Sequence, residues 1–172
     1  VVSMVQTLSD FFRASLNSGK DIVSLEGECR HITSYLQIQQ VRYQDILTYD
    51  VDIPEEIANC KIPKITLQPL VENALYHGIK NKRGKGRIVV TGRREKDKCV
   101  IRVEDNGIGM TKERLNQVRG GLTTKIEDSN DFYGLYNVNE RIRLKFGEGY
   151  GLSIDSVLQE GTCVEVWLPW ES

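Results

Sequence analysis

The stretch Glu104-Asp105-Asn106-Gly107-Ile108-Gly109 is the most informative part of this chain, because it places an acidic residue and two glycines directly after an alternating apolar segment. A carboxylate at the end of a strand, as expected for Asp105, can accept a hydrogen bond from an exocyclic amine such as that of adenine. Gly107 and Gly109 lack a Cβ, which lets the backbone turn and approach a flat base. The stretch therefore predicts a turn that binds adenine rather than guanine.

Three further motifs stand in order around this turn. Leu67-Gln68-Pro69-Leu70-Val71-Glu72-Asn73-Ala74-Leu75-Tyr76-His77-Gly78 precedes it, and Tyr133-Gly134-Leu135-Tyr136-Asn137 and then Gly161-Thr162 follow it. Each motif alone is weak, since Asp-x-Gly-x-Gly is most often a turn and a glycine such as Gly161 most often belongs to a hairpin. Four motifs in this order predict an ATP site.

The residue types in these motifs suit the chemistry of a bound triphosphate. The amide oxygen of Asn73 could complete the oxygen shell of a Mg²⁺ that already holds phosphates and waters. Glu72 beside it could orient or deprotonate a nucleophile. Gly134 opens a helical segment, Leu135 to Phe146, whose free N-terminal amides suit a phosphate. For Asn73 the alternative is an ordinary solvated helix residue.

The four motifs together resemble the GHKL ATPase superfamily, which groups gyrase-type, heat-shock-chaperone, mismatch-repair and histidine-kinase ATP domains. Within it, the chain resembles the LytS/YesM-like sensor histidine kinases. The asparagine box carries this resemblance together with Tyr35-Leu36-Gln37-Ile38-Gln39-Gln40-Val41-Arg42-Tyr43 and Asn137-Val138-Asn139-Glu140-Arg141. The resemblance implies an α+β fold, the two-layer α/β sandwich of the Bergerat type, in which helices cover a mixed sheet, with an N-terminal helical extension.

The resemblance also implies the site residues. Glu72 and Asn73 would be catalytic, Asn73 would hold Mg²⁺, and Asp105 would bind the adenine of ATP. The complete set implied to bind the nucleotide is Asn73, His77, Asp105, Gly107, Ile108, Gly109, Gly134, Leu135, Asn137 and Thr162.

The function implied is that of the catalytic, ATP-binding part of a two-component sensor histidine kinase, a transferase in signal transduction. It would transfer the γ-phosphoryl of ATP to a histidine on an upstream acceptor helix, and thence to a response regulator. The full-length protein would be a homodimer and a bacterial inner- or cell-membrane receptor, with this part in the cytoplasm and attached only through upstream segments. Two alternatives stay open: an ATP-hydrolysing conformational switch in which Glu72 activates water, and a nucleotide-binding pseudokinase scaffold.

Two residues depart from the family pattern. Tyr76 stands where related kinases commonly have a lysine that contacts phosphate, and Phe132 stands where they have a glycine. Lys80, Lys82 or Lys125 could replace the missing cation. These departures favour the pseudokinase alternative. They put the affinity for ATP and the rate of phosphoryl transfer in doubt more than the fold.

A histidine kinase needs a histidine that accepts the phosphoryl group, and this chain offers only two histidines, His31 and His77. By resemblance His77 would line the nucleotide pocket, and His31 lies in a helix where a structural role is expected. In this family the acceptor precedes the region where the chain begins. We therefore expect the acceptor upstream of these residues.

Composition agrees with one catalytic domain. With 40% hydrophobic and 27% charged residues among 172, the chain can bury one core, so we expect residues 1–20 to end a dimerisation or acceptor-helix region and residues 21–172 to form the ATP domain. A net charge of -1 argues against a nucleic-acid partner. The four cysteines lack the spacing of a zinc site or disulfide framework, and no apolar run is long enough for a membrane span.

Periodicity predicts the elements around the motifs. An apolar stripe predicts a first helix that ends at 17–19, and Ser24 is predicted to cap a second helix whose apolar face runs as far as Leu47. An irregular segment, 120–131, is predicted to be a mobile cover over the nucleotide. The remaining predicted elements are a strand at 49–53, a helix at 66–79 with Asn73, Tyr76, His77 and Lys80 on one face, a hairpin of 87–94 and 99–104, a helix at 111–118, and strands at 152–157 and 163–168.

Overall fold

A five-stranded mixed sheet forms the centre of the structure, a computed structural model that describes residues 2–16, 21–124 and 133–170. Its strands are β2 (Leu47–Asp52), β4 (Gly86–Glu95), β5 (Lys98–Asp105), β6 (Gly151–Val157) and β7 (Gly161–Pro169). Their order across the sheet is β2-β4-β5-β7-β6, with β2 and β4 parallel and every other neighbouring pair antiparallel.

Four helices cover one face of this sheet and bury the core with it. They are α2 (Leu25–Arg42), α3 (Leu67–Asn73), α4 (Lys112–Gly121) and α5 (Tyr133–Phe146). Ile101 and Val103 of the central strand β5 belong to the same buried apolar core as Leu70 of α3 and Val138 of α5. The α+β fold with a mixed, helix-covered sheet is confirmed.

The β4–β5 hairpin places Asp105 at the end of the central strand. Its register pairs Ile88 with Asp105 at one end and Glu95 with Lys98 at the other. Only two residues form the turn, and one of them, Lys96, has a left-handed φ of 58°, as such tight hairpins require. The predicted hairpin is confirmed, with longer strands and a shorter turn than expected.

Ser24 caps α2 as predicted, since its side chain accepts a hydrogen bond of 3.2 Å from the Gly27 amide. The predicted extent of this helix was wrong. The chain turns after Arg42, where the amides of Ile46 and Leu47 both donate to the Tyr43 carbonyl. Leu47 is therefore the first residue of β2 and does not belong to the helical face.

The first helix, α1 (Val2–Leu16), packs beside α2. Its apolar stripe faces outward, because Val5, Leu8 and Phe12 are 64%, 41% and 52% exposed. The predicted break at 17–19 lies outside the described residues. These three apolar side chains therefore keep a large part of their surface exposed in the single chain.

Three short elements had no clear signal in the sequence. Strand β1 (Ile22–Ser24) pairs with β3 (Lys61–Pro63) in a separate antiparallel two-stranded sheet, and Glu55–Ile57 forms one turn of 3₁₀ helix. Three residues are too few to establish an alternating pattern.

The predicted helix at 66–79 consists of two parts. The α-helical α3 ends at Asn73, and Ala74–Ile79 continues it as a π-helix, a widening that is often found at functional sites. Tyr76 and Lys80 lie together, with the ammonium 5.4 Å from the ring centroid. Asn73 and His77 instead line a common cavity.

The predicted irregular segment at 120–131 was partly wrong. Thr111 caps α4 through a 3.2 Å bond from the Arg114 amide, and α4 continues to Gly121 instead of ending at Val118. Leu122 follows it and is buried. Residues 125–131 of the predicted cover, and the neighbouring Phe132, lie outside the described residues.

Candidate functional site

A cavity lies where the helix formed by α3 and its π-helical continuation meets the end of β5. Its volume is about 70 Å³, well below the ~300–1,000 Å³ of a typical complete ligand site. It could hold the inner part of a ligand, so the rest would extend outside it. Its lining residues are Leu70, Asn73, Ala74, His77, Gly78, Val103, Asp105, Gly109, Met110, Val118, Leu135, Ile154, Thr162 and Val164.

Asp105 is the acidic residue of this cavity and has an unusual environment. Burial raises the pKa of Asp105 to about 6, although backbone hydrogen bonds from Gly107 and Thr162 and the charge of Lys82 act in the opposite direction. The Gly107 amide donates to Oδ1 at 2.8 Å. A desolvated carboxylate in an apolar cavity is well suited to accept a hydrogen bond from a ligand.

Close backbone approaches hold Asp105 in place, and glycines make them possible. A Cβ built on Gly78 would overlap the Asp105 carboxylate, one on Gly107 would overlap the Gly78 backbone, and one on Gly161 would overlap the Asp105 carbonyl. Gly109 has φ 62°, and its Cβ would overlap the Val157 carbonyl. The glycines predicted to give a ligand access to the backbone thus also pack the turn against the π-helix and the β6–β7 hairpin.

Asn73, at the end of α3, is the candidate magnesium ligand in this cavity. Among the described residues no cluster of three or more histidine, cysteine or acidic side chains could hold a metal. The amide oxygen of Asn73 would supply one protein ligand to an ion that is otherwise held by phosphates and waters, as Mg²⁺ commonly is.

Glu72 does not line the cavity with Asn73. It lies on the side of α3 that faces α2, where Gln68 Nε2 donates to its Oε1 at 2.9 Å. Tyr35 of α2 is close enough that the Glu72 charge contributes to raising the pKa of the tyrosine, after burial and Tyr76. The two neighbouring candidate catalytic residues therefore point to different sides of the helix.

The third motif is only partly brought to the cavity. Leu135 lines it, whereas Asn137 is on the exposed side of α5. The buried asparagine is Asn139, which donates to the Leu122 carbonyl and accepts from the Leu152 amide, both at 2.8 Å. Asn139 is four residues after Leu135, so the two lie on the same, buried face of α5. This spacing could have identified Asn139 from the sequence as the residue that links α5 to the end of α4 and to β6. Gly134 lies near Pro69 of α3.

Two of the three lysines proposed to replace the missing phosphate contact, Lys80 and Lys82, have contacts of their own in the described part of the chain. Lys82 Nζ donates to the Asn106 carbonyl at 2.6 Å, and Asn106 directly follows Asp105 in the chain. Lys80 lies over the Tyr76 ring. Lys125 is outside the described residues.

Glu28 holds α3 against α2 and was not identified from the sequence as a contact. Its buried carboxylate accepts bonds from the amides of Ile65, Thr66 and Leu67 at 2.7, 3.0 and 3.2 Å. Arg141 of α5 donates to the Ile65 carbonyl at 2.8 Å beside it. The helix that carries Asn73 is thereby joined to both α2 and α5.

A larger cleft of about 820 Å³ lies away from all four motifs. It is lined mainly by α2 and includes Glu26 and Arg30, together with Asp10 of α1 and Lys64. It contains neither Asp105 nor Asn73, so its size alone does not make it the candidate ATP site.

The family model described as histidine kinase-, DNA gyrase B- and HSP90-like ATPase matches residues 63–172, which include all four motifs and every residue that lines the small cavity. The chain belongs to this ATPase family. A second family model, described as histidine kinase, matches residues 1–47. The GHKL resemblance is confirmed.

Curated relatives refine the family further. The chain is 36% identical over 170 residues to the sensor histidine kinase YesM of Bacillus subtilis, covering 98% of this chain and 28% of the relative. It is 34% identical over 167 residues to the sensor histidine kinase BtsS of Escherichia coli, covering 97% and 27%. It is also 34% identical over 166 residues to the sensor protein LytS of Staphylococcus saprophyticus, covering 96% and 28%. The chain spans about a quarter of the length of these relatives.

Solved structures share the fold. A histidine kinase domain from a blue-light activated histidine kinase of Erythrobacter litoralis superposes with a TM-score of 0.62 at 16% identity, covering 96% of this chain and 72% of that one. The catalytic domain of the histidine kinase ThkA gives a TM-score of 0.62 at 11% identity, covering 86% and 94%. None of the helices in the described ranges is long and apolar enough to cross a membrane.

Proposed function

We propose that this chain is the catalytic part of a two-component sensor histidine kinase, which binds Mg·ATP and transfers its γ-phosphoryl to a histidine on an acceptor helix. The response regulator would receive the phosphoryl from that histidine. The observation that carries the proposal is a partly buried carboxylate, Asp105, that shares one cavity with Asn73 in a domain of this ATPase family.

Asp105 would accept a hydrogen bond from the adenine amine. Its desolvation supports this role, because a buried acceptor discriminates strongly between a ligand that donates to it and one that does not. The apolar side chains Val103, Leu135 and Ile154, which line the same cavity, would contact the faces of the base. Gly107, Ile108, Gly109 and Thr162 belong to the turn and strand that frame this base.

Asn73 would hold Mg²⁺, and the ion would neutralise charge on the phosphates during transfer. His77 would line the base-binding region beside Asp105. Gly134 and the first turn of α5 would lie near the phosphates, where free helix amides favour an anion. Glu72 would orient the attacking imidazole from the adjacent side of α3. Asn137 is exposed, so its part in binding would require contact from outside the cavity.

Residues 1–20 would be the end of a dimerisation-helix region. The exposed stripe of Val5, Leu8 and Phe12 supports this division, because an apolar helix face of this kind is normally covered by a partner helix. The whole protein would then be a homodimeric membrane receptor with this part on the cytoplasmic side.

The named relatives are sensor kinases, so neither an ATP-hydrolysing conformational switch nor a pseudokinase scaffold is favoured. The pseudokinase alternative still makes a distinct prediction, because it requires nucleotide binding without phosphoryl transfer. Tyr76 is the described residue that motivates it.

The decisive experiment supplies the acceptor. The chain is mixed with a separate polypeptide that carries the acceptor-histidine helix of this kinase family and with γ-labelled ATP and Mg²⁺. We expect acid-labile, base-stable label on the acceptor polypeptide, and none with the Asn73→Ala variant. ATP binding without any transfer would reject the kinase and favour the pseudokinase.

A further inference from the structure

Two hydrogen bonds connect a buried histidine of α2 to the candidate catalytic carboxylate of α3. His31 Nε2 lies 2.6 Å from Gln68 Oε1, and Gln68 Nε2 donates to Glu72 Oε1 at 2.9 Å. His31 is only 4% exposed. Gln68 and Glu72 are four residues apart, so they are neighbours on one side of α3. Glu72 is therefore connected to the interior of the domain through one amide side chain.

The direction of each bond follows from the charge on Glu72. An ionised carboxylate only accepts hydrogen bonds, so the amino group of Gln68 must face Glu72 and its carbonyl oxygen must face His31. His31 then has to donate from Nε2. In a neutral imidazole this requires the tautomer with its hydrogen on Nε2.

The contact between α2 and α3 does not need this polar connection for its stability. Ile32 and Leu36 of α2 are completely buried, as is Leu67 of α3. Glu28 separately holds the start of α3 through three backbone amides. Because the two helices are already packed by these contacts, the main effect of the His31–Gln68 bond is to orient Gln68, and through Gln68 the Glu72 side chain that it contacts.

We propose that Gln68, oriented by His31, is a positioning residue that holds the Glu72 carboxylate in one rotamer for phosphoryl transfer. The inference rests on the proposed function, in which Glu72 orients the acceptor imidazole. A glutamate side chain loses considerable rotamer freedom when it is fixed, so pre-ordering it removes that cost from the reaction. Neither Gln68 nor His31 touches the nucleotide cavity, so their effect falls on transfer and not on ATP binding.

The test measures ATP affinity by calorimetry and the rate of transfer from saturating ATP to the acceptor-helix polypeptide. Gln68→Leu should lower the transfer rate about tenfold with unchanged ATP affinity. In a Glu72→Gln background, Gln68→Leu should have no further effect, because both changes remove the same interaction. Gln117→Leu, at an exposed position of α4, is the matched control and should transfer at the normal rate.

A pair of His31 variants provides the conservative rescue. His31→Gln retains a side-chain donor for the Gln68 oxygen and should keep most of the transfer rate. His31→Leu removes the donor and should reproduce the loss seen in Gln68→Leu. Equal losses in both His31 variants would overturn the proposed role of the donor.

The outcomes separate this inference from the proposed function. If Glu72→Gln transfers normally, the role of Glu72 is wrong and the inference falls with it. If Glu72→Gln is slow but Gln68→Leu is normal, or the two losses add, only the positioning role is overturned. Should a variant unfold, long-range ¹H–¹⁵N NMR of the unaltered chain still decides, since a neutral His31 with its hydrogen on Nδ1 contradicts the orientation of Gln68.

Discussion

The Gly107 amide donates a 2.8 Å hydrogen bond to Oδ1 of Asp105, and this bond fixes the carboxylate at the end of β5 toward the cavity. The bond uses Oδ1, and the carboxylate retains further acceptor capacity for a ligand. The carboxylate that we propose as the acceptor for adenine is therefore already oriented by a bond within the chain. A substitution that keeps an oxygen at this position can keep the bond from the Gly107 amide.

Asp105→Asn should bind ATP and ADP at least about 2 kcal/mol more weakly, which is roughly a thirtyfold loss. An asparagine can keep its oxygen on the Gly107 amide, which then directs its amino group at the adenine amine, so two donors meet in a desolvated site. Calorimetry measures the loss, and thermal unfolding checks that the variant remains folded. Unchanged affinity in a folded variant would remove Asp105 from the site.

Adenine nucleotide binding should weaken as the pH falls through about 6, the value to which burial raises the pKa of Asp105. Above this pH the carboxylate is ionised and accepts strongly, whereas below it the protonated group is a weaker acceptor. Binding therefore lowers the pKa of Asp105, and affinity is lost on the acid side. Because His77 lines the same cavity, the control is His77→Asn, which should keep the dependence, while Asp105→Asn should lose it.

The local parts of this site could be predicted from the sequence, and the long-range parts could not. Asp105 at a strand end and the glycines after it follow from alternation and turn chemistry within a few residues. Glu28 caps a helix 37 to 39 residues away, and no local pattern contains that pairing. The π-helical widening after Asn73 likewise has no local signal, since Ala74–Ile79 continues the helical period of the sequence.

Glu28→Ala should destabilise the folded chain by about 3 kcal/mol or more, because it leaves three backbone amides at the start of α3 without their acceptor. Glu26→Ala is the matched control: it lies in the same first turn of α2 but is exposed, so it should cost less than about 1 kcal/mol. Urea unfolding measures both values. Similar losses in the two variants would mean that Glu28 acts only through the charge it places at the helix end.

Asn73→Ala should weaken the binding of Mg·ATP more than that of ATP measured in excess chelator, because the lost amide oxygen acts through the metal. Asn73→Asp should also bind Mg·ATP more weakly, since a charged ligand replaces a neutral one next to the triphosphate. Calorimetry with and without Mg²⁺ tests both variants. An equal loss in the two conditions would show that Asn73 contacts the nucleotide directly and does not hold the ion.

Neither histidine of this chain should become phosphorylated when the chain is incubated alone with Mg·ATP. Phosphoryl transfer requires the acceptor nitrogen in line with the γ-phosphate at near-attack distance. His77 lines the cavity beside Asp105, so it would contact the base and cannot also lie beyond the γ-phosphate. His31 is buried between α2 and α3 with Nε2 on Gln68, and an attack on ATP would require those helices to separate.

The measurement is mass spectrometry under basic conditions, which preserve phosphohistidine, after incubation with Mg·ATP. The acceptor-helix polypeptide, added in a parallel sample, provides the positive control for an active chain. We expect label only on that partner. Phosphate on His31 or His77 at a comparable rate would show that the acceptor lies within these residues, and the transfer geometry proposed for Asp105 and Asn73 would then be wrong.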